Sequence, residues 1–153
     1  MELFSTGCYV PPDYSDANRK ASSFGGGESD DHKALKSFVA ENPWLMDLPR
    51  ATPSGVQEFP FPSGDSLDVS FGFGANWVAA EVKTARSPEA DIVRGIYQCV
   101  KYLAVMKAVQ TSEGQERSAR AVLVLEGTLP ASLVSLKNQL GVEVIERVNG
   151  QIR

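Results

Sequence analysis

Three charged residues lie within two short apolar stretches whose side chains alternate as they do along β-strands. Asp68 lies within the stretch 67–71, and Glu81 and Lys83 lie within the stretch 77–84. Strands favour branched and aromatic residues, and a buried charge is costly unless it is paired or binds a metal. Two carboxylates beside an ammonium predict a site for a divalent cation and a phosphate, because Mg²⁺ is usually held by one or two carboxylates with water and phosphate oxygens.

The predicted pairing of the two strands brings these residues together. A hairpin that turns through Gly72–Asn76 places Asp68 opposite Glu81, with Cβ atoms about 4.5–5.5 Å apart. Lys83 lies two residues beyond Glu81 and therefore on the same face, where its charge offsets the repulsion between the carboxylates and can contact a phosphate or an attacking water. Val82 points to the other face, which leaves its carbonyl oxygen as a further metal ligand. The alternative is an ordinary surface acid pair that Lys83 neutralises.

Helices and strands that must position these residues follow one another along the chain. Ser29 or Asp30 can cap a first helix that ends at Glu41-Asn42-Pro43, since the residue before a proline avoids the α region. A second helix is predicted to begin with serine at the cap, proline at the first position and an acid in the first turn, at Ser87-Pro88-Glu89, and to reach about Val109. The other predicted elements are strands over 56–61, 66–73, 76–84, 120–126 and 142–148, and a last helix between Leu129 and Gly141.

This order predicts an α/β domain with a mixed central sheet flanked by helices. The first three strands form a hairpin-linked meander, and the later strands, which helices separate, are expected to pair in parallel. At 153 residues the chain has the length of one domain. Residues 1–28, with paired prolines, paired serines and three glycines, are expected to form an irregular N-terminal arm, and residues 29–153 a single domain.

The second helix carries two kinds of residue on its predicted faces. An apolar stripe is expected to face the core: Val93, Ile96, Tyr97, Val100 and Ala104. A polar face is expected to hold Arg94, Gln98, Lys101 and Tyr102. The two cations can follow a phosphate backbone, or they can belong to an ordinary solvated face.

Composition excludes several classes of protein. The net charge of −4 and the pI near 5.0 argue against a general nucleic-acid coat protein. Cys8, Cys99 and the single histidine, His32, make neither a disulfide framework nor a zinc site. No apolar run approaches the roughly 20 residues of a membrane-spanning helix, and residues 1–6 do not read as a signal peptide. We therefore expect a reduced, cytoplasmic location and no membrane partner.

The motifs together resemble the PD-(D/E)XK nuclease superfamily, which has the restriction-endonuclease-like fold. The resemblance rests on Asp68, on Glu81-Val82-Lys83 and on Gln98-Cys99-Val100-Lys101-Tyr102, whose Q-x-x-x-Y spacing is similar to the RecB-type branch. It covers about residues 31–148. A metal-dependent nuclease that hydrolyses DNA phosphodiester bonds is the activity that this resemblance implies.

The resemblance also implies roles for individual residues. Asp68 and Glu81, with the Val82 carbonyl, would ligate Mg²⁺ or Mn²⁺, and Lys83 would orient or activate the attacking water. Gln98 and Tyr102 would support the site or contact the DNA strand. Many members carry a glutamate on the first helix facing the metal. His32 is a candidate for that place, although a histidine at a helix start is more often a surface residue.

Several interpretations stay open on the sequence alone. We expect Arg86, Arg94 and Lys101 to contact nucleic acid, which is DNA in the leading hypothesis; the sequence does not distinguish DNA from RNA. A chain this short is expected to act as a homodimer or with a partner protein to cut both strands. The alternatives to a nuclease are an inactive nuclease-fold module that binds nucleic acid or protein, and a structural domain whose carboxylates are ion-paired.

Overall fold

The predicted mixed sheet is present in the computed structural model of the protein, which describes residues 28–115 and 117–149. The helices are α1 (Asp30–Glu41), α2 (Glu89–Glu113) and α3 (Val134–Leu140), and two short 3₁₀ helices cover Pro43–Met46 and Ala131–Leu133. The strands are β1 (Val56–Pro60), β2 (Ser66–Phe73), β3 (Asn76–Lys83), β4 (Ser118–Leu125) and β5 (Glu143–Ile145). The predicted arm over residues 1–28 lies outside the described residues, apart from Glu28.

The strands lie in the spatial order β1-β2-β3-β4-β5. The pairs β1–β2 and β2–β3 are antiparallel, and the pairs β3–β4 and β4–β5 are parallel. Helix α2 crosses from β3 to β4, and α3 crosses from β4 to β5. The predicted α/β class, with a meander followed by parallel strands, is therefore confirmed.

Two apolar layers hold the helices against the sheet. On one face, α1 buries Leu35 and Val39 against a set of strand residues: Val69, Phe71, Val78, Ala80, Val82, Val122 and Val124. On the other face, α2 buries Ile96 and Met106 against a second set: Leu67, Trp77, Ala79, Ala121, Leu123 and Leu125. The central strands are apolar on both faces because helices cover both.

Element ends agree with the capping residues in most places. The hydroxyl of Ser29 accepts a hydrogen bond of 3.2 Å from the His32 main-chain N–H, so the predicted cap of α1 is confirmed. Ser87 is not the cap of α2, because Pro88 occupies the N-cap position without a side-chain cap. Helix α2 extends four residues beyond the predicted Val109, to Glu113, and its C-cap is Gly114, whose φ of 64° suits glycine.

The predicted core stripe of α2 is confirmed at Ile96, which is buried, and at Val93, which packs against the core, but it is wrong at its other three positions. Tyr97 and Val100 are 53% and 38% exposed, and Ala104 is exposed as well. The buried stripe is Ile92, Gly95, Ile96, Cys99, Tyr102, Met106 and Val109. This stripe covers the sheet along most of the helix, whereas the predicted stripe meets an exposed lysine, Lys107, one turn after Ala104.

Smaller differences concern lengths. The hairpin turns within Gly74-Ala75 and not over five residues, and β5 covers three residues where the sequence predicted 142–148. The last helix begins with a 3₁₀ turn and stops at Gly141 as predicted, with a φ of 64°. Among the described residues, no helix is both long and apolar enough to cross a membrane.

Candidate functional site

A cavity of about 770 Å³ opens at the carboxyl end of β3, between the first turns of α1 and α2. The charged residues that line it are Glu28, Asp31, His32, Glu58, Asp68, Lys83, Arg86 and Asp91. Two helices begin at this cavity, and their N-terminal dipoles favour negative charge. The cavity therefore combines an excess of carboxylates with three basic groups.

Asp68 lies where the ladder between β2 and β3 ends. The last paired residues are Val69 and Ala80, so that one further step places Asp68 opposite Glu81, in the register that the sequence predicted. Beyond that point the Val82 main-chain N–H donates to Asp68 Oδ2, at 2.8 Å. The Asp68 side chain is 15% exposed, and it lines the cavity.

Glu81 is a buried carboxylate, with 5% of the residue exposed. Burial is the main cause that raises its pKa far above the ordinary range, and the negative charge of Asp68 raises it further. The ammonium of Lys83, 3.3 Å from Glu81 Oε1, and His32 lower the pKa by less. The site thus holds a carboxylate that its protein surroundings only partly compensate.

His32 reaches the site from α1. Its Nε2 lies 3.1 Å from the Val82 carbonyl oxygen and 3.6 Å from Asp68 Oδ2, and its Nδ1 contacts the Glu28 carboxylate. The nearby Asp68 carboxylate is the main cause that raises the pKa of His32 to about 9, against the opposing effect of burial. His32, which the sequence suggested as a site residue on the first helix, therefore lies beside Asp68 and Val82.

Gln98 and Tyr102 lie on the side of α2 that faces the sheet. Gln98 Oε1 is buried and has no hydrogen-bond partner among the described residues. Tyr102 is 3% exposed and donates a long hydrogen bond of 3.5 Å to the Ser66 carbonyl oxygen. Burial, and then the negative charges of Glu81 and Asp68, raise the pKa of Tyr102.

The residues predicted to form the polar face of α2 do not lie on one exposed face in the structure. Arg94 and Lys101 are exposed, while Tyr102 is buried. Arg94 lies 3.5 Å from Asp91, Lys101 lies 2.8 Å from Asp65, and neither cation lines the cavity. The reason is that the observed buried face of α2 is displaced around the helix from the predicted one, so that Tyr102 lies inward and the two cations lie on the surface.

Arg86 is the predicted nucleic-acid residue that lines the cavity. Its side chain is 88% exposed, and its NH1 lies 3.5 Å from Asp31 at the start of α1. An exposed cation on the rim of an acidic cavity is free to move toward an incoming anion, since surface ion pairs are weak.

Sequence reasoning missed a charged network beside the site. The buried ammonium of Lys36 contacts the carboxylates of Glu28 and Glu58, and Glu28 also contacts His32. Glu58 accepts a hydrogen bond of 3.1 Å from the Ser66 hydroxyl. The spacing of Glu28, His32 and Lys36 at intervals of four residues is the sequence signal that could have linked three of these residues.

Glu58 has an unusual backbone for a strand residue. Its φ is 52°, and the β1–β2 register places Gln57 opposite Val69 and Phe59 opposite Leu67, so that Glu58 lies across from Asp68. A non-glycine residue at positive φ is strained, and such residues often lie at functional sites. The strained residue here lies at the strand position next to Asp68.

The residues fit a hard divalent cation. Asp68 and Glu81 supply two carboxylates on adjacent strands, and His32 Nε2 lies 3.1 Å from the Val82 carbonyl oxygen and 3.6 Å from Asp68 Oδ2. Glu81 is buried, and burial disfavours its charged form more than Lys83 and His32 favour it. Within residues 28–115 and 117–149, no cluster of three or more His, Cys, Asp or Glu side chains could hold a metal. Two carboxylates and a main-chain oxygen are ligands that Mg²⁺ accepts, because Mg²⁺ needs few protein ligands and keeps several waters.

Comparison with known proteins supports the fold. No family model matches the chain, and no curated protein matches it. The chain is similar to the solved structure of the EndoMS-dsDNA2 complex, with a TM-score of 0.51 and 18% sequence identity. The match covers 82% of this chain and 48% of that one, so the chain spans about half of its length. At this identity, the likeness shows that the two chains share an α/β fold with a mixed sheet.

Proposed function

We propose that the protein is a metal-dependent nuclease of the PD-(D/E)XK type, which hydrolyses phosphodiester bonds of DNA. The observation that carries the proposal is the register of β2 and β3, which sets Asp68 opposite the buried Glu81, with Lys83 Nζ at 3.3 Å from Glu81 Oε1. Fold alone does not imply function, so the proposal rests on this group of residues.

Each residue has a role in this proposal. Asp68, Glu81 and the Val82 carbonyl oxygen would hold Mg²⁺ or Mn²⁺, which supplies Lewis-acid chemistry when bound. Lys83 orients the attacking water and stabilises the negative charge that develops on the phosphate. His32 holds the Val82 carbonyl and Asp68 in place from α1.

The electrostatics of the cavity support a cation in the proposed site. Five carboxylates line the cavity, against three basic groups. A phosphate backbone is repelled by such an excess of negative charge unless cations enter first. A divalent ion between Asp68 and Glu81 would also stabilise the charged form of Glu81, which burial disfavours.

DNA as the substrate is supported by the structural likeness, because the similar chain is part of a complex with double-stranded DNA. Arg86 on the cavity rim would contact the strand next to the scissile phosphate, while Arg94 and Lys101 would contact it farther along α2. Gln98 and Tyr102, at the Q-x-x-x-Y spacing of the RecB-type branch, would support the carboxylates. The proposed enzyme is one domain over residues 29–153 that acts as a homodimer or with a partner protein.

A cleavage assay tests the proposal. Linear, circular, branched and single-stranded DNA are incubated with the protein and Mg²⁺ or Mn²⁺, and RNA is included as a competing substrate class. We expect metal-dependent cleavage that EDTA abolishes, and that Asp68→Ala, Glu81→Ala and Lys83→Ala each remove. Glu41→Ala and Lys107→Ala, which change exposed residues away from the cavity, are the matched controls. Cleavage that survives all three site variants would contradict the proposal.

A second candidate function is a nuclease-fold module that binds nucleic acid or protein without catalysis. The contacts of Lys83 with Glu81 and of His32 with Asp68 favour it, because they partly neutralise both carboxylates without a metal. Calorimetric titration with Mg²⁺ and Mn²⁺ separates the two functions. Heat that Asp68→Ala and Glu81→Ala abolish supports the nuclease, and no metal binding at these residues supports the module.

A further inference from the structure

Gly95 lies inside α2, where the helix passes over the end of β3. A Cβ atom placed on Gly95 would lie 3.1 Å from Lys83 Cε, 3.7 Å from Lys83 Cγ and 2.9 Å from Leu123 Cδ1. The first and the last of these distances are shorter than ordinary van der Waals contact. The absence of a side chain at position 95 therefore makes room for the stem of Lys83.

Helix propensity does not explain a glycine at this position. Position 95 is in the second turn of a helix of 25 residues, and glycine has the lowest helix propensity after proline. Its backbone is helical and does not require a positive φ. What the position does require is the close approach of α2 to Lys83 and Leu123.

Of the two neighbours that a methyl group would displace, Lys83 is the one that can move. Leu123 is fully buried in the layer between α2 and the sheet. The Lys83 side chain is 16% exposed, and the residue lines the cavity. Crowding at position 95 would therefore push the Lys83 stem toward the cavity and carry Nζ away from Glu81.

We propose that Gly95 is a positioning residue for Lys83: the bare helix surface at Gly95 holds the Lys83 stem in the path that brings Nζ to 3.3 Å from Glu81 Oε1. The catalytic consequence rests on the proposed nuclease function, whereas the positioning itself does not. Gly95 acts through Lys83 and contacts no substrate.

The test is Gly95→Ala in the full chain, with Gly72→Ala as the matched control, because a Cβ atom at Gly72 meets nothing within 4 Å. The first measurement is the ¹³Cε–¹Hε NMR signal of Lys83 in ¹³C-lysine-labelled protein, assigned with Lys83→Arg. We expect Gly95→Ala to move this signal more than that of any other lysine, and Gly72→Ala to leave it in place. An unmoved Lys83 signal in Gly95→Ala overturns the proposal.

The second measurement is DNA cleavage. A misplacement of about 1 Å can cost about a hundredfold in rate, so we expect Gly95→Ala to lower kcat about tenfold to a hundredfold. The Kd for DNA, measured with Ca²⁺, should stay within about twofold, because Lys83 acts mainly on the reaction step. Wild-type kcat in Gly95→Ala overturns the proposal, provided that the wild type cleaves DNA.

The two measurements separate this proposal from the proposed function. If the wild type cleaves no DNA, the nuclease proposal fails, and the Lys83 NMR signal alone decides whether Gly95 positions Lys83. If Gly95→Ala does not fold, the double variant Gly95→Ala/Leu123→Val removes the 2.9 Å contact and carries the same NMR measurement. A Lys83 signal that moves in the double variant but not in Leu123→Val supports the proposal, and an unmoved signal overturns it.

Discussion

The main-chain N–H of Val82 donates a hydrogen bond of 2.8 Å to the carboxylate of Asp68. At the end of the hairpin, a side chain therefore takes over the pairing that the main chain of β2 provides up to Val69. Asp68 serves the fold as well as the proposed metal site, and the two roles can be separated because only one of them requires a negative charge.

Asp68→Asn and Asp68→Ala should differ in stability but agree in activity. Asparagine keeps a carbonyl oxygen for the Val82 N–H, whereas alanine leaves that donor without its partner at a partly buried position. We expect Asp68→Ala to lower the free energy of unfolding by about 1–3 kcal/mol, and Asp68→Asn to stay close to the wild type. Both variants should lose cleavage and metal binding, because neither supplies a carboxylate.

Urea denaturation in EDTA measures the stability difference without metal. Ser63→Ala is a suitable control, because it removes a short-range hydrogen bond to Asp65 in an exposed turn. Equal stability of the two Asp68 variants would show that the Val82 hydrogen bond contributes little to the fold.

Lys36→Met should destabilise the protein by removing the cation that two carboxylates share. The Lys36 side chain is 3% exposed, and hydrogen bonds from it to Glu28 and Glu58 raise its pKa against the effect of burial. Methionine fills the same space but leaves both carboxylates without their buried partner. We expect the free energy of unfolding to fall by roughly 1.5–3 kcal/mol at pH 7, as for hydrogen bonds between charged groups.

The exposed Lys33 on the same helix provides the control, since Lys33→Met removes a charge without a buried contact. Thermal denaturation of both variants, followed by circular dichroism, makes the comparison. A loss in Lys36→Met no larger than that in Lys33→Met would mean that the network does not stabilise α1 against β1.

The sequence predicted the central hairpin well because its pattern leaves little freedom. Alternation along each strand and a short turn fix the register, since a slip by one residue exchanges the buried and exposed faces. The pairing of Val69 with Ala80 confirms the predicted register and so brings Asp68 toward Glu81. The role of these carboxylates stays a prediction.

The faces of α2 could not be settled in the same way. Two apolar stripes lie one residue apart on this helix, and the choice between them depends on contacts with the sheet, which no local period encodes. In the sequence, Gly95 is a residue of low helix propensity, yet it lies where α2 closely approaches Lys83 and Leu123. The position of Glu58 was equally unpredictable, because a positive φ at a glutamate within a strand has no sequence signal.

Acid should weaken the protein partly through Glu143. The guanidinium of Arg120 forms two hydrogen bonds with this carboxylate, at 2.7 and 3.0 Å, and holds the pKa of Glu143 below its usual value of 4.5. In this range the unfolded chain binds more protons than the folded one. The contribution of the pair is therefore present above pH 4.5 and is lost as the pH falls through the lowered pKa.

Glu143→Gln should remove this part of the acid sensitivity. We expect a loss of up to about 1 kcal/mol at pH 7, as for a partly exposed ion pair, and a smaller further loss on acidification than in the wild type. Arg120→Ala should cost more, because Arg120 also donates to the Met46 carbonyl oxygen at 2.7 Å. Urea denaturation at several pH values, with Glu41→Gln as an exposed control, measures both effects, and parallel pH profiles of wild type and Glu143→Gln would contradict the prediction.

Gln98→Leu should stabilise the metal-free protein and weaken the proposed site. Gln98 Oε1 is buried without a hydrogen-bond partner among the described residues, so replacing the amide by an apolar group of similar size removes a desolvation cost. We expect the free energy of unfolding in EDTA to rise by up to about 1 kcal/mol. We expect the affinity for Mn²⁺ to fall, because the proposed function assigns Gln98 a role in supporting the carboxylates. Thermal denaturation in EDTA and calorimetric titration measure the two effects, with the exposed Gln139→Leu as control. A rise in the free energy of unfolding together with a fall in Mn²⁺ affinity would indicate that Gln98 serves function at a cost in stability. A fall in both quantities would indicate that Gln98 is a structural residue of α2.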